Sequence, residues 1–175
     1  MQSRRLTVRR SPVHGRGVFV HAAVAGGDLL IDYLGEVIDW PVATRRYHER
    51  AARGHTFFFD LGDGRVIDGG TGGNEARWIN HGCDPNCEAY VEDGTIVISA
   101  RRDIAAGEEL LLDYQLQVDR DTDDLDLYTC RCGSASCRST MLAVGDQPPA
   151  ANHPASGSGP RGSGSGADWT SIDST

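Results

Sequence analysis

Three thiols crowd into one short stretch, Cys130-Arg131-Cys132-Gly133-Ser134-Ala135-Ser136-Cys137. In a chain that reads as intracellular, such a cluster points to metal rather than to disulfides. A structural zinc takes four ligands in a tetrahedron, so this stretch is one ligand short. The chain has five cysteines. The other two lie in Asn80-His81-Gly82-Cys83-Asp84-Pro85-Asn86-Cys87, beside an amide and an imidazole able to hold a polar ligand by hydrogen bonds. A third stretch, Gly107-Glu108-Glu109-Leu110-Leu111-Leu112-Asp113-Tyr114, carries an apolar run into a single phenol. Taken singly, each has a plain structural reading: free thiols, a satisfied core histidine, a strand tyrosine. Their combination in one chain calls for a scaffold that brings them together.

That scaffold reads as mostly β, built of many short strands. Residues 5–38 read as short strands, with Val18-Phe19-Val20 and Leu29 to Leu34 as apolar runs separated by Gly26-Gly27. Residues 41–53 read as the one helix, with Pro41 suited to the first helical position, Asp39 or Trp40 at the cap, and Gly54 as the stop. Phe57 to Leu61 and Arg65 to Asp68 flank Gly62-Asp63-Gly64 and predict a hairpin. Glu88 to Val91 and Thr95 to Ser99 flank Glu92-Asp93-Gly94 and predict a second. No internal repeat is evident. From residue 145 to residue 175 the composition turns to Gly, Ser, Pro, Ala and Asp, which cannot bury enough surface to offset its ordering entropy. A disordered tail is expected there, with Trp169 a passive aromatic.

The bulk composition narrows the function classes. At 175 residues the chain suffices for one domain with a real core. Its formal charge is −8, and all 17 basic residues are arginine. An acidic balance argues against direct nucleic-acid binding, which needs a basic face, and suits a basic peptide partner. No apolar run approaches membrane-spanning length and no apolar stretch follows the basic first ten residues, so a soluble, intracellular, cytoplasmic protein is expected. The Arg- and Ala-rich, lysine-free composition points to a GC-rich bacterial genome; in a eukaryotic host a nuclear location would follow instead.

The three stretches, in this order and at these distances, resemble the SET-domain protein-lysine methyltransferases with their C-terminal post-SET zinc segment. The resemblance covers about residues 5–142. It implies a SET domain over 5–117 and a post-SET zinc segment over 126–142. The implied fold is a set of small β-sheets around a knot-like crossing, in which the Asn-His segment and the tyrosine strand thread together, an exception to the rule against threaded chains. His14-Gly15-Arg16-Gly17-Val18-Phe19 resembles the family's Gly-x-Gly turn against S-adenosylmethionine, where glycines let backbone approach the ligand. Tyr33, in Asp32-Tyr33-Leu34-Gly35-Glu36-Val37-Ile38, resembles the tyrosine lining the methionine end. Asn74 to His81 resembles the family's Gly-Asn-x-x-Arg-Phe-x-Asn-His, with Trp78 for the usual phenylalanine. By resemblance Gly15, Arg16, Gly17, Tyr33, Arg77, Asn80 and His81 are cofactor-binding, Tyr114 is catalytic beside the transferred methyl, and Cys83 joins Cys130, Cys132 and Cys137 around a structural Zn2+. Cys87 is left as a small core residue.

Two positions depart from the family pattern. Leu112 stands where a phenylalanine or tyrosine often limits how many methyls fit, and Phe57 stands where many members have a tyrosine lining the substrate channel. The acidic run Val118 to Asp126 would flank the peptide groove, as a solvated loop or as an attractor of basic substrate. The resemblance implies methyl transfer from S-adenosylmethionine to lysine of a basic protein or peptide by a chain expected to be a monomer. A catalytically silent SET domain that binds a peptide or partner is the second reading.

Overall fold

The computed structural model describes residues 5–51, 57–117 and 125–143. β1 (Leu6–Arg10) and β2 (Arg16–Val20) pair antiparallel, with Leu6 opposite Val20 and Arg10 opposite Arg16. The turn between them is closed by Ser11, whose amide donates to Gly15 O while its Oγ accepts from the amides of Val13 and His14. β3 (Leu29–Tyr33), β8 (Cys87–Glu92) and β9 (Thr95–Ala100) form a sheet ordered β3-β9-β8. Its central strand is rich in β-branched residues, and Ile96, Val97 and Ile98 are all buried. The β8–β9 hairpin follows the sequence reading, with Asp93 and Gly94 taking the positive φ its tight turn requires.

A second sheet, ordered β4-β6-β5, holds β4 (Glu36–Asp39), β5 (Phe58–Asp60) and β6 (Arg65–Asp68). The β5–β6 hairpin lies where the Gly62-Asp63-Gly64 signal places it. β4 adds to β6 in a register that sets Glu36 opposite Asp68, a long-range pairing that local periodicity does not show. The helix α1 runs Trp40–Ala51, so it begins one residue before Pro41. Gly54, read as its stop, lies outside the described residues, as do most of the acidic run and the tail from residue 145. Ala43 of α1 is buried in a small core with Ile38, Phe58 and Val66, against which Trp40, Val42 and Tyr47 pack.

Asp68 fastens that helix. Its side chain is fully buried at the end of β6. It accepts from Arg46 Nη1 at 2.7 Å, from Arg50 Nη1 at 2.9 Å on both oxygens, and from the amide of Gly70 at 2.9 Å. Arg46 and Arg50 stand four apart and therefore on one helix face. Burial alone would raise the Asp68 carboxyl, but Arg50 and then Arg46 outweigh it and hold it below the usual carboxylate range. Asp68→Ala should destabilise the protein by about 3–5 kcal/mol, because two guanidinium groups lose their buried partner. The folded pKa is depressed, so the pair's contribution is complete above the unfolded value near ~3.9 and fades as pH falls below it. Denaturant titrations of wild type and variant at neutral pH and near pH ~3 check both the size and the sign; equal loss at both would remove the ion pair as the cause.

Two further short strands complete the fold. β7 (Asn80–His81) and β10 (Leu111–Leu112) run parallel, with Leu111 opposite Asn80 and Leu112 opposite His81. The two stretches singled out for chemistry are thus neighbours in space. The residues from 125 to 143 fold back on the end of the domain. Leu116 donates to Met141 O, and Ala143 donates to Leu116 O. No helix among the described residues is long and apolar enough to cross a membrane.

Candidate functional site

Asn80 holds the first part of the site. Its amide nitrogen donates to His14 O at 3.1 Å, Arg16 O at 2.8 Å and Glu109 Oε1 at 2.8 Å. The Gly15-Arg16-Gly17 turn is therefore fixed by Asn80, a contact that the sequence reading did not include. Gly15 adopts φ +48°, a conformation costly for other residues. Gly17 is needed for space: a Cβ there would lie 2.0 Å from Glu109 Oε1. Glu109 is buried, and its second oxygen accepts from Ser11 Oγ at 2.9 Å. Glu109 lies in the stretch that ends at Tyr114, and its place in the sequence assigns it no role. Sequence position likewise assigns none to Asn86, which is buried and donates to Glu109 O and Glu108 Oε1 while accepting from the amide of Leu111. An Asn following Asp-Pro reads as a turn residue, so nothing local marks it.

His81 and Tyr114 form the second part. The Tyr114 amide donates to His81 Nδ1 at 3.1 Å, so Nδ1 is unprotonated and the ring proton sits on Nε2, 3.3 Å from Cys83 Sγ. Asp113 Oδ1 lies 3.7 Å from that Nδ1 without forming an ion pair, because the imidazole is neutral. Burial, opposed by Asp113 and aided by Arg138, pushes His81 down to about 4. The Tyr114 ring meets His81 edge-on at 5.3 Å, and its hydroxyl donates to Ile79 O at 2.7 Å. Burial, then the charge of Glu109, raises the Tyr114 phenol above its ordinary value. Tyr114 is therefore a neutral donor at physiological pH and not a phenolate base.

An aromatic wall stands beside these groups. Tyr33 is buried, its hydroxyl donates to Phe57 O at 2.9 Å, and its ring meets Phe59 at 5.2 Å. Phe57 meets Trp78 edge-on at 5.0 Å. Arg77 lies over both rings, 5.8 Å from Phe57 and 5.1 Å from Trp78, and Nη1 donates to Gly69 O. Arg16 covers Trp78 at 4.9 Å. Arg77 thus contacts the Phe57 wall as well as standing in the segment of Asn80. Leu112 is buried in the main core.

The thiols form the third part. The sulfurs of Cys83, Cys130, Cys132 and Cys137 all lie within 4.8 Å of one another. A tetrahedral zinc with Zn–S bonds of about 2.3 Å separates its sulfurs by roughly 3.8 Å, so the four fit that ion with small adjustments. Backbone amides already aim at them: Arg138 N at Cys83 Sγ, Cys132 N at Cys130 Sγ, and Ser139 N at Cys137 Sγ, at 3.3–3.4 Å. Burial raises the thiols of Cys83 and Cys130. At Cys132 burial is outweighed by the amides of Cys83 and Ser134, and the thiol falls to about 6. Cys87 is apart from this group, buried, and pushed up to about 12 mainly by that burial.

A sequence model of the SET domain matches residues 15–115. A histone-lysine N-methyltransferase, H3 lysine-4 specific, from Mycosarcoma maydis is 38% identical over 143 residues, covering 78% of this chain and 10% of that protein. The protein of the same description from Saccharomyces cerevisiae is 40% identical over 136 residues, 74% of this chain and 12% of the relative. Histone-lysine N-methyltransferase set1 of Dictyostelium discoideum is 37% identical over 144 residues, with 79% and 9% covered. The chain thus spans about a tenth of the length of these curated relatives. Among solved structures, a humanized mutant of the Chaetomium thermophilum Polycomb Repressive Complex 2 bound to the inhibitor GSK126 matches with TM-score 0.57 and 32% identity, over 62% of this chain and 14% of that one. The expected bacterial, cytoplasmic setting gains no support from these relatives, and the expected monomer gains none from a neighbour that belongs to a complex.

Proposed function

The chain belongs to the SET-domain family, and from that membership we propose that it is a protein-lysine N-methyltransferase using S-adenosylmethionine. The observation that carries the reading is the convergence on β7 and β10. Asn80 fixes the Gly15–Gly17 turn, His81 takes the amide of Tyr114, and the Tyr114 hydroxyl reaches the carbonyl just before Asn80. Gly15, Arg16, Gly17, Tyr33, Arg77, Asn80 and His81 would hold the cofactor, which supplies a sulfonium-bound methyl when bound. A lysine amine with a free pKa near ~10.4 must lose its proton before it can attack. The aromatic wall of Phe57, Trp78 and Tyr33 disfavours the ammonium by excluding water. Tyr114, protonated and pinned at Ile79 O, orients the amine rather than accepting its proton. Leu112 and Phe57 keep the walls apolar and supply no hydroxyl.

The relatives' descriptions make a histone, a basic lysine-containing protein, the substrate class to test first, and a nuclear setting fits a eukaryotic host. The test is incubation of the purified protein with labelled cofactor and histones or a proteome lysate. Because the chain has no lysine, side-chain lysine automethylation cannot supply the signal. Label on lysine supports the reading. Cofactor binding without any transfer would favour the silent binding module.

Cys83, Cys130, Cys132 and Cys137 would hold a structural Zn2+ that fastens the 126–142 segment to the domain. Metal analysis should give about one zinc per chain. Cys132→Ser should lose it and Cys87→Ser should keep it, since Cys87 is outside the group of four and its thiol donates to Asn86 Oδ1. Equal metal loss in both variants would show that the ligand set is wrong.

A further inference from the structure

A ring of contacts runs from the thiol cluster to Tyr114 and back. Arg138 Nη1 donates to Asp113 Oδ2 at 2.8 Å and Nη2 donates to Oδ1 at 2.5 Å. This two-bond fork fixes angle as well as distance, which a single contact does not. The backbone N–H of the same arginine donates to Cys83 Sγ. That sulfur also faces His81 Nε2, and His81 Nδ1 accepts the amide of Tyr114. Asp113 and Tyr114 are joined by a peptide bond, which closes the ring. The pair is largely sheltered, with side-chain exposures of 18% for Asp113 and 28% for Arg138, so solvent screens it less than a surface pair.

The thiol cluster holds the C-terminal segment at one point, on Cys83. The pairing of Leu116 with Met141 and Ala143 holds it at a second, beyond Tyr114. The guanidinium adds a third on the other side of Tyr114, at the residue before it. We propose that Asp113 and Arg138 are positioning residues: their ion pair sets the C-terminal segment against the tyrosine strand and so fixes where the Tyr114 hydroxyl stands. The inference rests on reading Tyr114 as the residue beside the transferred methyl. Its failure separates from the failure of that reading, because the tether also shows in the exchange of the Tyr114 amide.

The test uses the full chain with its metal content measured in every variant. Asp113→Asn and Arg138→Gln remove one charge each, Arg138→Lys keeps the charge without the fork, and Asp113→Arg with Arg138→Asp reverses the pair. Each single variant should lower kcat roughly ten- to hundredfold, because small misplacements of a reacting group carry losses of that size. Cofactor Kd should stay within about twofold and zinc content should not change. The Tyr114 amide should exchange at least about tenfold faster in each single variant, and the reversed pair should recover most of both losses. Single variants with wild-type kcat and amide exchange would overturn the proposal. So would losses that track zinc loss, or a reversed pair no better than the single variants. A wild-type chain that transfers no methyl would overturn the reading of Tyr114, and the amide exchange would then decide the tether by itself.

Discussion

Tyr114→Phe is expected to slow methyl transfer by about a hundredfold or more while leaving cofactor affinity within a factor of about three. The substitution removes one oxygen and little else. The ring keeps its edge-on contact with His81, and the bond from the Tyr114 amide to His81 Nδ1 survives because it is a backbone bond. What disappears is a hydroxyl held at 2.7 Å from Ile79 O. That bond fixes the oxygen in advance, so no reorganisation is needed when a substrate amine arrives, and preorganised polar groups of this kind are worth about 10²–10³ in rate. The phenol's raised pKa keeps it protonated throughout the neutral range. The wild-type rate should therefore rise with pH as the substrate amine loses its proton, with no inflection from Tyr114 below pH ~10. Single-turnover methylation beside calorimetric cofactor titration measures the two quantities separately. A Tyr114→Phe protein with wild-type turnover would remove the catalytic role.

The local parts of this molecule were legible and the long-range parts were not. The turns at Gly62-Asp63-Gly64 and Asp93-Gly94 announce their hairpins because turn chemistry acts over a few residues. Pro41 marked the start of the helix to within one residue for the same reason. The parallel pairing of Asn80-His81 with Leu111-Leu112 joins segments about thirty residues apart, and no periodicity within either segment encodes it. It came from resemblance, not from pattern. Asp68 shows the limit most clearly. It ends the second strand of the predicted hairpin, where no neighbour in sequence marks it for burial, yet its side chain is fully buried because Arg46 and Arg50 reach it from another element. Glu109, Asn86 and the Asp113–Arg138 pair were invisible for the same cause: each takes its role from partners that only the folded chain brings near.

Asn80→Ala should destabilise the protein by about 2–4 kcal/mol and weaken cofactor binding more than about tenfold, because three acceptors lose their shared donor. An amide nitrogen carries two hydrogens, so His14 O, Arg16 O and Glu109 Oε1 divide them. Without that nitrogen the two carbonyls on either side of Gly15 are released, and Gly15, whose backbone samples a wide range of φ, loses the bonds that select its +48°. Glu109 keeps Ser11 Oγ on one oxygen and loses its partner on the other, inside a space too tight for a Cβ on Gly17. The turn read as the cofactor's cradle would then lose the group that defines its shape. Asn80→Asp sharpens the test. It has nearly the same volume as asparagine, yet it places a carboxylate against two carbonyl oxygens and a glutamate. If hydrogen bonding is what Asn80 contributes, the aspartate should be worse than alanine in both melting temperature and cofactor titration, and the difference should shrink at low pH as the carboxylates take up protons. An aspartate variant as stable as wild type would mean that Asn80 merely fills space, and the link between β7 and the glycine turn would have to be sought elsewhere.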